Sequence, residues 1–327
     1  MAFSNTYDTT NNGSAVSNRE DLLDVLTILA PQETPVLSSA SKSKATATFV
    51  EWTVDSLSAP VTTGVAEGAD VTSFTDKFSN RARLGNYVQK FRRDYMVSDL
   101  QNAVDSVGPA KVAQAESKAV REIKRDIEAT LCSTNDRSVE NGAGTSYGMR
   151  GLGDWIDSGG PSDVPSDYRT PAASIHATGA LTETVFNNLI TSIYRVSGTT
   201  NSLTLVADTA LRRIISDFAR TSASGDYSVR QVSYPGGSGE IKLAVDMYSS
   251  DHGQVSIVNM NPDCAPDTTN KDTGYLINPD FLSVAELITL GSSRLPNLGG
   301  GERGYVDFTG TVCVKHPGAF GKITAIS

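Results

Sequence analysis

Cysteine is scarce in this chain. Among 327 residues there are three, Cys132, Cys264 and Cys313, far apart and with no CxxC pair. That spacing excludes a zinc ribbon and leaves a disulfide framework without support; it fits a reducing compartment. Long apolar runs are missing too. No stretch of about 18 apolar residues occurs, so no helix is expected to cross a membrane, and no membrane partner is expected. The opening MAFSNTYDTTNNGSAVSN has neither a basic start nor an apolar segment, so it does not read as a secretion signal. Its Asn12-Gly13-Ser14 sequon therefore reads as a polar loop. An excess of basic residues is also lacking. Lys and Arg number 28 against 37 Asp and Glu, a formal net charge of −9, which argues against a generic grip on nucleic acid. There is no internal repeat and no heptad pattern.

What is present supports a core, since 39% of the residues are hydrophobic. In NREDLLDVLTILAPQETP, Asn18 can cap a helix whose first turn carries Glu20 and Asp21. Leu22, Leu23, Leu26 and Leu29 make an apolar stripe, and Pro31 ends it. A helix of about a dozen residues is too short to stand alone, so the stripe needs a partner. Val50, Trp52 and Val54 then alternate with polar residues, as in a half-exposed strand. A turn-rich tip with Glu67, Asp70 and Asp76 leads to a second run, NRARLGNYVQKFRRDYMVS. Together they read as one long two-stranded arm, marginal by itself in water. From Lys77 to Arg93 every charge is positive: Lys77, Arg81, Arg83, Lys90, Arg92 and Arg93.

A helix is expected from Gly108-Pro109 to about Thr130, with Val112, Val120, Ile123, Ile127 and Leu131 inward and a charged face that includes Glu128. Residues 132–179 are loop-rich. From 181 a compact α/β unit follows. LTETVFNNLITSIYRVSG and TALRRIISDFAR read as helices; SLTLVAD, VRQVSY, IKLAVDMYSS and QVSIVNM read as strands. The chain closes with the strand-like YVDFTGTVCV and a PGAFG turn.

Three motifs raise chemistry. Gly144-Thr145-Ser146-Tyr147-Gly148 matches GxSxG, and His176, His252 or His316 would have to supply the base. A nucleophile elbow needs a strand before and a helix after, and both flanks look like loop. An esterase using Ser146 is therefore a minor alternative. Gly299, Gly301 and Gly304 match GxGxxG but lead into a strand instead of a helix, so a loop is expected. Asp246 and Asp251 lack the spacing of a calcium loop. No catalytic, cofactor or metal residue is assigned. The basic run lacks the aromatic interleaving of a single-strand platform, and a protein contact is favoured over DNA.

The segments NREDLLDVLTILAPQETPVLS, EWTVDSLS, ESKAVREIKRDIEATL and GYVDFTGTVCVKHPGAFGKI, in that order, resemble the major capsid proteins of tailed double-stranded DNA phages, the Hong-Kong-97-like fold. The resemblance spans nearly the whole chain. It implies an α+β fold with an N-terminal arm (1–48), an extended β-hairpin loop (49–97), a peripheral domain with a long spine helix (98–179), an α/β axial domain (180–280) and a return to the peripheral sheet (281–327). It implies a coat protein that self-assembles, as hexamers and pentamers, into an icosahedral shell around phage DNA bound without sequence specificity. Assembly would take place in the host cytoplasm. Portal, decoration and scaffolding proteins are possible partners; with 48 residues before the loop, any scaffold would be separate or already removed. A nanocompartment shell protein of the same fold is the alternative. The arm and loop would lie on neighbouring subunits. The contact candidates are Leu22, Leu26, Leu29, Trp52, Glu67, Asp70, Lys77, Arg81, Arg83, Lys90, Arg92 and Arg93.

Overall fold

The computed structural model describes residues 33–104, 111–198, 202–218, 246–266 and 272–324. The expected helix with Leu22, Leu26 and Leu29, the start at Gly108-Pro109 and the strand VRQVSY lie outside them.

Two sheets organise these residues. The first has four strands in the order β1 (Ser41–Lys44), β10 (Leu282–Leu295), β11 (Glu302–Val314) and β4 (Gln89–Val97). β1 runs parallel to β10, and the other pairs are antiparallel. The helix α3 (Lys111–Cys132) lies across this sheet. At 1.5 Å per residue it is about 33 Å long. Ile123, Ile127 and Leu131 are buried on one stripe, against Phe91, Tyr95, Val306, Phe308 and Val312 from the strands. The 3.6-residue period of the sequence thus found its sheet.

The second sheet has six strands, ordered β5 (Ile175–His176), β12 (Gly321–Ile323), β9 (Gly274–Ile277), β6 (Thr204–Ala207), β8 (Gly253–Asn259) and β7 (Met247–Ser250). Helices α5 (Glu183–Ser197) and α6 (Thr209–Phe218) cover it, with Phe186, Ile190, Ile193, Leu211 and Ile215 packed on Leu205, Val255 and Leu276. α5 is well delimited: the Thr182 hydroxyl accepts from the Val185 N–H at 3.3 Å, and Gly198 ends the helix at φ +70°. β9 is buried on both faces. Its Tyr275 and Ile277 join the first core while Leu276 joins the second. The Tyr275 hydroxyl donates to the Cys132 carbonyl at 2.9 Å, and Lys322 Nζ donates to the Gly153 carbonyl at 2.9 Å. The two sheets therefore share buried contacts as well as chain connections.

Three expectations are corrected. The run 81–97 is not one strand of an arm. Only β2 (Phe49–Val54) and β3 (Ala82–Tyr87) pair with each other. After Val88 the chain enters the four-stranded sheet as β4, because Phe91 and Tyr95, on one face of the strand, are buried in the core beneath α3. Alternation identified a strand but could not name its partner. Second, Ser41–Lys44 is an edge strand where no strand was expected. Third, Glu128 is not on the charged face of α3. It is fully buried, and its carboxylate accepts from the Val36 N–H at 2.9 Å and the Leu37 N–H at 2.8 Å. These two N–H groups open the short helix α1 (Pro35–Ser39), where such donors have no partner of their own.

Candidate functional site

Between β2 and β3, residues 55–81 contain no helix and no strand. The segment is rich in small and turn-forming residues, so nothing in it selects a regular element. Its few internal ties sit near its root. Arg81 Nε donates to Asp55 at 2.9 Å, the Arg81 guanidinium lies 4.1 Å over the Phe78 ring, and the Tyr168 hydroxyl bonds the Asn80 carbonyl. The arm also carries Leu57, Val61, Val65, Val71, Phe74 and Phe78, all exposed; Leu57 is 99% and Phe74 90% accessible. Scattered apolar residues on a surface are ordinary, but here six lie on one exposed segment of 27 residues.

The root of the arm is built differently. Phe49 and Tyr87 face each other with ring centroids 4.5 Å apart, and the Arg137 guanidinium lies 5.1 Å from the first ring and 5.7 Å from the second. Arg137 Nη1 donates to the Gly85 carbonyl at 2.7 Å. Asn86, fully buried, donates to the carbonyls of Val312 (3.0 Å) and Arg150 (3.3 Å) and accepts from the Arg150 N–H at 2.9 Å. The Arg150 side chain is 1% exposed and meets three carboxylates: Asp136 at 2.6 Å, Asp154 at 2.9 Å and Asp163 at 2.7 Å. Burial alone would raise the Asp163 pKa. The hydrogen bond and charge of Arg150, with the charge of Arg137, outweigh burial and hold it below the usual carboxylate value. Asp154 moves the other way, raised by burial and by the Asp136 charge against the pull of Arg150.

The sequence-derived candidates divide accordingly. Glu67, Asp70 and Lys77 lie on the exposed arm. Trp52, half-buried, packs on Trp155 of its own chain at 5.6 Å between centroids. The basic run does not present one face. Arg81 pairs with Asp55, Lys90 with Asp307 at 3.6 Å, and Arg93 makes a two-pronged pair with Asp126 at 2.6 and 2.7 Å. Arg83 and Arg92 are exposed, on β3 and β4 respectively. Such exposed pairs contribute about 0–1 kcal/mol each. Leu22, Leu26 and Leu29 fall outside the described residues. Sequence reasoning missed the apolar arm residues, whose signal was their presence in a stretch with no periodicity to bury them. It also missed Asn86, Arg137 and Arg150, which carry no motif.

Ser146 is exposed in a loop closed by the Ser138–Gly148 bridge, with neither strand before nor helix after it. The glycines at 299 and 301 precede β11 directly. Among the described residues no group of three or more His, Cys, Asp or Glu is arranged to hold a metal ion, and no helix is long and apolar enough to cross a membrane.

Solved structures with this architecture are phage and phage-like capsids. The capsid of the native GTA particle superimposes with a TM-score of 0.66, at 12% identity over 98% of this chain and 99% of that one. The capsid of the cyanophage P-SCSP1u gives 0.63, at 11% identity over 99% of each chain. Microbacterium phage Oxtober96 gives 0.59, at 13% identity over 97% and 99%. No curated protein matches at the sequence level. Two linked sheets, a long helix across one of them and an exposed arm are thus the Hong-Kong-97-like fold that these capsid chains share. The family model of the SU10 major capsid protein matches residues 3–327, and the chain belongs to that family. It is a major capsid protein, the subunit of an icosahedral tailed-phage shell.

Proposed function

We propose that the subunit closes its shell by laying the 55–81 arm, together with the segment before residue 33, on neighbouring subunits, in rings of six and five. The single observation behind this reading is the arm itself, with apolar side chains that its own chain leaves uncovered. Covering each such side chain is worth about 1.5–3 kcal/mol. The division into N-terminal arm (1–48), peripheral domain (98–179), axial domain (180–280) and returning strands (281–327) is part of the same proposal, with the extended loop of 49–97 shortened at its end, since β4 belongs to the four-stranded sheet. The role is structural, with geometry in place of catalysis. The shell would form in the host cytoplasm and enclose double-stranded DNA without reading its sequence. A chain of net charge −9 would let DNA slide past instead of trapping it. Portal, scaffolding and decoration proteins would act from outside this chain.

Hydrogen exchange on free subunit and assembled particle tests the arm. Residues 55–81 should exchange freely in the subunit and become protected in the particle. Strong protection in the isolated subunit would show that the arm is already packed at home. Absorbance of purified particles tests the cargo: a nucleic-acid spectrum is expected, and co-purifying enzyme without nucleic acid would favour a nanocompartment.

A further inference from the structure

The arm is loose along its length but gripped at its root, and the grip comes from one loop. Residues 137, 149 and 150 each bond the segment 85–89. Arg137 holds the Gly85 carbonyl, the Arg150 backbone exchanges two hydrogen bonds with the Asn86 amide, and the Met149 N–H donates to Gln89 Oε1 at 3.1 Å. Tyr147 adds a ring contact with Tyr87 at 5.8 Å. The loop is itself stiffened, since Asp163 pairs with Arg150 and also with Arg137 Nη2 at 3.2 Å. The root is close-packed at Gly85: a Cβ there would sit 2.5 Å from the Phe49 ring, which would have to shift. Asn86 fastens the same root to β11 through the Val312 carbonyl.

We propose that the 133–169 loop is a clasp that fixes the direction of the arm, with Arg137 as its positioning residue, and that this direction helps to set the diameter of the shell. The inference rests on the reading that the arm lies on a neighbour. Its physical basis is leverage. About 13 residues out and 13 back reach at most about 40 Å at roughly 3.3 Å per residue. A tilt of about 10° at the root then moves the tip by about 7 Å, enough to shift an apolar side chain out of its pocket. Arg137 suits the task because its planar fork reaches two acceptors while its face covers two rings. A lysine has one flexible ammonium and cannot do all of this at once.

The test compares wild type with Arg137→Ala, Arg137→Lys and Phe74→Ser. The Arg137 side chain is 22% exposed, so its variants should still fold, with a Tm lowered by no more than about 5 °C. In free Arg137→Ala subunits, amides 85–88 should exchange about ten- to hundredfold faster, the loss expected for a charge-assisted bond. Their particles should show a spread of diameters by electron microscopy, and Arg137→Lys should change in the same direction by less. Phe74→Ser, which touches only the arm, should assemble poorly with unchanged exchange at 85–88. If Arg137→Ala keeps wild-type exchange at the root, or gives particles of one wild-type diameter, the clasp is overturned while the arm reading stands. If Phe74→Ser assembles normally, the arm is not an interface, and both fall together.

Discussion

Glu128→Gln is a small change in shape and a large one in bonding. The wild-type carboxylate offers one oxygen to each of two N–H groups, Val36 at 2.9 Å and Leu37 at 2.8 Å, in a fully buried site. The amide keeps one acceptor and turns an NH2 toward the other N–H. One buried donor is left unpaired, at about 1–3 kcal/mol, and a charge-assisted bond becomes a neutral one. Against this stands relief from burying a charge. Burial raises the Glu128 pKa, and the two backbone bonds lower it only in part. The net loss at pH 7 should be about 2 kcal/mol, a fall in Tm of about 3–6 °C for a chain of this size. The pH dependence has a definite sign. Because the folded pKa is raised, the contribution of this group is fully present below the unfolded glutamate pKa and is lost as the pH rises through the folded value. The gap between wild type and Glu128→Gln should therefore widen as the pH falls through the raised folded value toward the ordinary glutamate range. Thermal melting of unassembled subunits at several pH values reads both effects. A Glu128→Gln subunit that melts within about 1 °C of wild type at pH 7, with the same pH slope, would refute this account of the contact.

Arg150→Met should be severe, because it strands the carboxylates of Asp136, Asp154 and Asp163 around an apolar side chain; a loss of about 3–5 kcal/mol is expected, seen as insoluble or low-melting subunit, and a soluble wild-type-like variant would contradict it. Asp163 has a lowered folded pKa, so its stabilising contribution is present above the unfolded aspartate value and fades as the pH falls through the folded one. The melting difference between wild type and Asp163→Asn should accordingly shrink below about pH 4; a difference constant from pH 7 to 3 would remove the ion pair from the explanation. Ser146→Ala should leave subunit melting and particle yield unchanged, and loss of an esterase activity of the pure protein on this change would reopen the hydrolase alternative.

The parts of the fold that were legible in sequence are those where one element settles its own fate. The stripe Ile123, Ile127 and Leu131 is buried as its spacing required, and the run LTETVFNNLITSIYRVSG holds the helix expected there, α5. Partnership was not legible. Phe91 and Tyr95 are spaced in the same way whether this run continues the second strand of the arm or pairs with β11 more than 200 residues later, and only the core beneath α3 decides between them. Glu128 was hidden for a related reason. Its neighbours along α3 are charged, and its partners are backbone groups 91 and 92 residues earlier, which leave no trace in side-chain pattern. At the candidate site, the basic run announced itself by charge, and three of its six members, Arg81, Lys90 and Arg93, are paired within the chain. The apolar arm residues, spread through glycine, alanine and threonine, announced nothing.

β12 sits between β5 and β9, parallel to the first at Lys322↔Ile175 and antiparallel to the second at Lys322↔Tyr275. The strands on either side of it are made long before residues 321–323 leave the ribosome. Until then β5 has no neighbour and β9 has an open edge, the kind of edge that recruits other chains. A truncated subunit would therefore carry a sticky, half-built sheet. The last strand to be made is thus the one that joins β5 to the rest of the sheet.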